Sequence, residues 1–259
     1  MIAPDSARMR ARAAQRASGR ELPRLYVIAD PGFAGGMGRF DRLIQSLGQA
    51  ARLQDSQLAI QVRAKGFPGA LLAEVARLSR ETIGTEALLV LNGPERLANE
   101  LGYDGVHWPE AAIPGTAAVS RSSVSMAHDH PAGEADALAP GGPERPGPTF
   151  RSAAAHSGEV VRHAHRAGAT AVVYGPVFAP SWKKANPVGL KALTETAKAS
   201  PLPVYALGGI GPEQVVDCLA AGAHGIAVLS GIAGAADPVA AIDRYLAAVR
   251  LAQFPESPP

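Results

Sequence analysis

Short apolar runs recur along the chain, separated by stretches with helical periodicity. The runs are Leu25–Asp30, Leu58–Gln61, Ala87–Leu91, Gly105–Trp108, Thr149–Ala153, Ala171–Tyr174, Val204–Leu207 and Gly225–Leu229. Most are continuous rather than alternating, the pattern of parallel strands buried on both faces. Between them, Phe40–Leu53 places Leu43, Ile44, Leu47 and Ala51 on one face, and Leu71–Ile83 places Leu72, Val75, Ala76 and Leu78 inward. Pro212–Ala221 and Pro238–Leu251 repeat the scheme, each with proline where a first helical turn accepts it. Asp237 is positioned to cap the last helix. Strand and helix alternating in this way give a closed barrel or a doubly wound open sheet, and a count of eight strands favours closure. The predicted fold is a single (β/α)8 barrel over residues 23–252.

Two regions break the rhythm. Residues 1–22 carry Arg8, Arg10, Arg12, Arg16 and Arg20 without an apolar central region, so they read as a flexible basic tail and not as a secretory signal. Residues 127–148, with prolines at 131, 140, 143, 146 and 148, read as a mobile insertion before strand five. Residues 253–259 form a second tail.

Composition narrows the class of function. With 25 Lys+Arg against 23 Asp+Glu among 259 residues, there is no concentrated basic face for nucleic acid. No apolar run approaches the roughly 18 residues needed to span a bilayer, so no membrane partner is expected. The single cysteine, Cys218, excludes an intramolecular disulfide framework and a cysteine-based zinc site, and a reducing cytoplasm fits it. The oligomeric state stays open, a homo-oligomer included.

Candidate chemistry lies at the strand ends. Val204–Ile210 runs into Gly208-Gly209, and Gly225–Ile232 runs into Leu229-Ser230-Gly231. Glycine lets backbone N–H groups approach an anion, and the loops after strands seven and eight of a barrel commonly form a phosphate site. These glycines also suit plain chain turns. In Gln61-Val-Arg-Ala-Lys65 the alternation points Gln61, Arg63 and Lys65 one way, toward the interior or the mouth, where Arg63 and Lys65 could take an anion or stay solvated. In the loop after Tyr174, Lys183 could bring a cation over the mouth and Gly189 could open a helix N-terminus. Trp182 could stack on something flat or cover apolar surface. His156, just past strand five, is placed for proton transfer or is simply an early helix residue. His107, inside strand four, reads equally as a core histidine.

Taken in order, several stretches resemble the thiamine phosphate synthase/TenI family. They are Leu25–Asp30, Gln61–Lys65, Leu91-Asn92, Gly105–His107, Ala155–Ser157, Gly175–Phe178 with Lys183-Lys184, Pro203–Ile210 and Gly222–Ile232. The resemblance implies a (β/α)8 barrel in the thiazole branch of thiamine biosynthesis, acting on a small phosphorylated thiazole. Synthase members join a pyrimidine pyrophosphate to a thiazole phosphate with Mg²⁺ held by two aspartates. Those positions here are Gly93 and Ala112, and Glu110 alone is a poor Mg²⁺ site. The synthase threonines are replaced by Pro180 and Trp182. TenI-type members also carry Asn-Gly, as Asn92-Gly93 does, and resemble thiazole tautomerases, which aromatise a thiazole carboxylate phosphate by proton transfer without Mg²⁺. On that resemblance His156 is the acid/base. Gly208, Gly209, Leu229 and Ser230 hold phosphate, and Gln61, Arg63, Lys65, Asn92, Lys183 and Gly189 face the substrate. The leading expectation is a tautomerase with no cofactor. A divergent synthase requiring Mg²⁺ comes second, and a non-catalytic phosphate-ligand-binding regulator third.

Overall fold

The computed structural model describes residues 22–54, 57–116, 148–182 and 184–253. The two expected tails, apart from Leu22 and Gln253, and the expected insertion, apart from Pro148, lie outside the described residues, as does Lys183.

Eight parallel strands close into a barrel in chain order. They are β1 (Leu25–Ala29), β2 (Leu58–Val62), β3 (Leu88–Leu91), β4 (Gly105–Trp108), β5 (Phe150–Ala155), β6 (Ala171–Tyr174), β7 (Val204–Leu207) and β8 (Gly225–Val228). Leu25 of β1 pairs with Leu58 on one side and Ile226 on the other, which closes the ring. Strand residues divide by parity. Leu25, Val27, Leu58, Ile60, Leu89 and Val204 point outward into the layer beneath the helices. Tyr26, Ile28, Ala59, Val90, Phe150, Val173 and Tyr205 fill the interior. Both sets are apolar, which is why the strands read as unbroken runs.

The helices are α1 (Pro31–Ala34), α2 (Met37–Leu53), α3 (Gly69–Ile83), α4 (Glu95–Leu101), α5 (Gly158–Arg166), α6 (Gly189–Ala199), α7 (Val215–Ala220), α8 (Ser230–Ala233) and α9 (Pro238–Gln253). In α2, Leu43, Ile44, Leu47 and Ala51 are all buried, as the periodicity predicts. Asp237 Oδ1 accepts the Ala240 N–H at 3.0 Å, the predicted cap. The pattern does not single out α4, α5 and α6, because each buries few apolar side chains. Only Ala98 is buried in α4, and Val161 and Ala164 in α5. Strand five extends to Ala155, two residues beyond the predicted end, because Ala154 and Ala155 pair with Val173 and Tyr174. Alanines contribute little to a hydrophobic run.

The N-terminal end of the barrel is closed by the segment before β1. Tyr205 donates its hydroxyl hydrogen to the Pro23 carbonyl at 2.6 Å, and His224 Nε2 donates to that of Leu22 at 3.1 Å. Gly225 starts β8 against this segment. A Cβ there would lie 2.3 Å from the Arg24 carbonyl oxygen, and the obstruction is backbone. Gly225→Ala is therefore expected to cost about 1–3 kcal/mol of stability. Urea unfolding checks this, and an unchanged midpoint would contradict it.

Candidate active site at the carboxyl ends of the strands

The opposite end carries the polar and charged side chains. Asp30 leaves β1 and caps α1: its Oδ1 accepts the N–H groups of Gly32 at 2.8 Å and Phe33 at 3.3 Å, with Pro31 in the first turn. Its Oδ2 accepts Arg63 Nε at 2.6 Å. The carboxylate is buried, with 3% of its side chain exposed, whereas 21% of Arg63 is exposed. Asp30 thus holds the guanidinium by its Nε.

The residues predicted around Arg63 separate. Gln61 is buried in the interior, where Oε1 accepts the Tyr26 hydroxyl at 3.0 Å. Lys65 is exposed on the loop toward α3. Asn92 is half-buried and donates its backbone N–H to the Val62 carbonyl at 2.9 Å. Across the mouth, His156 Nδ1 lies 2.6 Å from Glu110 Oε2, joining the end of β5 to the turn after β4. A carboxylate only accepts, so the shared hydrogen sits on Nδ1 and Nε2 is the nitrogen that can exchange a proton with a ligand. With 64% of the His156 side chain exposed, the pair adds little stability.

The loops after β6 and β7 pack backbone to backbone. Val177 N–H donates to the Leu207 carbonyl at 2.8 Å and Phe178 N–H to that of Gly208 at 3.0 Å. Gly208 and Gly209 adopt φ of +101° and +61°, and a Cβ on Gly208 would lie 2.5 Å from Pro176 Cβ. Loop packing alone therefore requires glycine here. Leu229 precedes α8 and its carbonyl accepts Ala233 N–H at 2.8 Å, while Ser230 is exposed in the first turn, where backbone N–H groups have no intrahelical acceptor. Gly189 opens α6 but gives its own N–H to the Val177 carbonyl at 3.0 Å. Trp182 packs edge-on against Phe33 with ring centroids 4.6 Å apart, tying the β6 loop to α1.

The residues present do not fit a Mg²⁺ site of the family's kind. Gly93 and Ala112 offer no side-chain oxygen. The Leu72 side chain also fills the space beside Gly93, 2.8 Å from where a Cβ would be. Glu110 is engaged with His156. Among the described residues no three His, Cys, Asp or Glu side chains cluster as metal ligands. Cys218 is buried and its thiol is pushed up to about 12, first by desolvation and then by Asp217, so it offers no nucleophile.

His107 points into the barrel, with Nδ1 2.9 Å from Ser152 Oγ. Desolvation, and then the charge of Arg63, push its pKa down to about 3. A group that is harder to protonate when folded stabilises fully above its unfolded pKa, about 6.5, and loses that contribution as pH falls. From pH 6.5 to 5 the limiting slope of about 1.4 kcal/mol per pH unit makes this loss about 2 kcal/mol. His107→Gln should flatten that part of a urea-unfolding pH profile, and an identical slope would contradict the assignment.

Fold and mouth together define a parallel (β/α)8 barrel with charged side chains gathered at the carboxyl ends of its strands. A family profile described as thiamine monophosphate synthase matches residues 152–232. The chain is 37% identical over 228 residues, 86% of each chain, to the thiamine-phosphate synthase of Anaeromyxobacter dehalogenans. It is 35% identical to that of Methanoculleus marisnigri, over 84% of this chain and 90% of that one. Among solved structures, a thiamine phosphate pyrophosphorylase from Pyrococcus furiosus superposes with a TM-score of 0.64 at 24% identity, over 90% of this chain and 97% of that one. The chain belongs to the thiamine phosphate synthase/TenI family. The relatives' names favour the synthase reaction, placed second in the reading of the sequence, over the tautomerase. Among the described residues no helix is long and apolar enough to cross a membrane.

Asp30-Pro31 after a strand is legible as a helix cap, but nothing local in the sequence marks Asp30 as the holder of Arg63. Glu110, expected as an incomplete metal ligand, is instead the partner of His156.

Proposed function

We propose that the chain is an enzyme of thiamine biosynthesis that binds a phosphorylated thiazole at this mouth. Family membership at 37% identity over most of the chain carries the reading. In it, backbone N–H groups around Gly208, Gly209, Leu229 and Ser230 hold the phosphate, aided by the first turn of α6 after Gly189. Arg63, fixed by Asp30, and Lys65 face the second anionic group, with Asn92 beside them and Lys183 as a further cation.

The relatives' names support joining a pyrimidine pyrophosphate to the thiazole phosphate. Displacing pyrophosphate concentrates negative charge, which Arg63 and Lys65 would meet at the mouth. Pyrophosphate release with both substrates present, in Mg²⁺ and in EDTA, tests this. Release above background supports a synthase, and none in either condition overturns it.

A second reading rests on one observation, the His156–Glu110 pair in a mouth without the two aspartates. It is a thiazole tautomerase. His156 Nε2 takes a ring proton, the imidazolium faces the Glu110 carboxylate, and the proton returns elsewhere on the ring, leaving an aromatic thiazole with no net change in protons. Aromatisation of a thiazole carboxylate phosphate, followed by ultraviolet absorbance, tests it.

A further inference from the structure

The barrel interior carries a run of buried polar side chains among apolar ones. The Tyr26 hydroxyl donates to Gln61 Oε1 at 3.0 Å and also lies 3.0 Å from Ser152 Oγ. Ser152 Oγ lies 2.9 Å from His107 Nδ1. All four residues are buried, and their hydrogens can be assigned one at a time. An amide oxygen only accepts, so the one hydroxyl hydrogen of Tyr26 goes to Gln61. The Tyr26–Ser152 contact must then use the hydrogen of Ser152. Ser152 has no second hydrogen, so its contact with His107 needs one on Nδ1. His107 is held neutral by burial and by Arg63. A neutral imidazole carries one N–H, so Nε2 bears a lone pair. Among the described residues Nε2 has no protein partner, nor is it among the polar atoms sealed from solvent. Val106 pairs with Leu91, which sets His107 level with Asn92, one step past the end of β3.

We propose that Tyr26, Gln61 and Ser152 are positioning residues that hold the His107 proton on Nδ1 and so make Nε2 a fixed hydrogen-bond acceptor at the floor of the mouth. This acceptor selects a ligand that presents an N–H or O–H at that point and rejects one that presents a lone pair. Supplying only a lone pair there would leave two acceptors facing each other, which is costly in a buried site. The selection rests on the reading that substrates enter this mouth, whereas the proton's position is a property of the unliganded chain.

Long-range proton–nitrogen NMR correlation on the ¹⁵N-labelled full chain at pH 7 tests it, with His107→Gln identifying the resonances. The wild type should show a pyrrole-type Nδ1 and a pyridine-type Nε2 at His107. In Tyr26→Phe the Ser152 hydrogen loses its acceptor and can turn toward His107. Both nitrogens should then move toward intermediate shifts, and Ser152→Ala should do the same. Tyr26→Phe keeps the ring and decides the matter if Ser152→Ala does not fold. A protonated Nε2 in the wild type, or an unchanged pattern in folded Tyr26→Phe, overturns the proposal. Addition of pyrimidine pyrophosphate or thiazole phosphate should move Nε2 upfield with the proton still on Nδ1. Binding seen by ³¹P NMR with no change at Nε2 overturns the acceptor role. Failure of both compounds to bind counts against the proposed function instead, and leaves the proton's position decided by the unliganded spectra.

Discussion

On the tautomerase reading, His156→Ala is expected to lower the rate of thiazole aromatisation by about 100-fold or more, the scale of general acid–base catalysis. The fold should persist, because 64% of the side chain is exposed and, among the described residues, its hydrogen-bond partner is Glu110. Glu110→Gln should reduce the rate in the same direction. It keeps an acceptor for Nδ1 but removes the negative charge that stabilises the imidazolium. The expected pattern is a fall in kcat with little change in KM, since proton transfer happens only in the reaction step. Joining a pyrimidine pyrophosphate to the thiazole asks less of this histidine, so pyrophosphate release should fall much less. The same variant therefore separates the two readings. A tautomerase whose rate survives His156→Ala within a few-fold would contradict the role assigned to this pair.

The second large effect is expected at Arg63. A hydrogen bond to a charged group contributes about 1.5–3 kcal/mol, so Arg63→Gln should raise KM by about tenfold to a hundredfold. kcat should change less. Asp30→Ala should move KM the same way, because it frees the guanidinium held at 2.6 Å. It also removes the cap of α1, at a further cost of about 0.5–2 kcal/mol in stability. Steady-state kinetics beside thermal melts distinguish these effects. An Arg63→Gln variant with unchanged KM would place the anionic group elsewhere.

The eight strands were legible because parallel strands of a closed barrel are apolar on both faces, and each run stands out without knowledge of its neighbours. The long amphipathic helices were legible for a similar reason, while α4, α5 and α6 bury too few side chains to show. The mouth was legible by residue type but not by partner. Arg63 meets Asp30 across 33 positions, His156 meets Glu110 across 46, and Tyr26 meets Ser152 across 126. Those pairings follow from strand register and barrel closure, which no local pattern encodes. Gln61 illustrates the limit. Alternation puts it on the inward side, but its side chain meets the hydroxyl of Tyr26 on the neighbouring strand and is buried in the interior, while Arg63 turns to Asp30. At Gly208 and Gly209 the reverse holds. The sequence suggested an anion site, and packing against the β6 loop already requires glycine there, so the phosphate role needs its own test.

That test is an amide proton–nitrogen NMR titration of the full chain with thiazole phosphate. The account predicts saturable shifts that are largest at Gly208, Gly209, Leu229 and Ser230, with smaller ones at Arg63 and Asn92. No binding at millimolar ligand, or shifts centred away from the carboxyl ends of the strands, would contradict it.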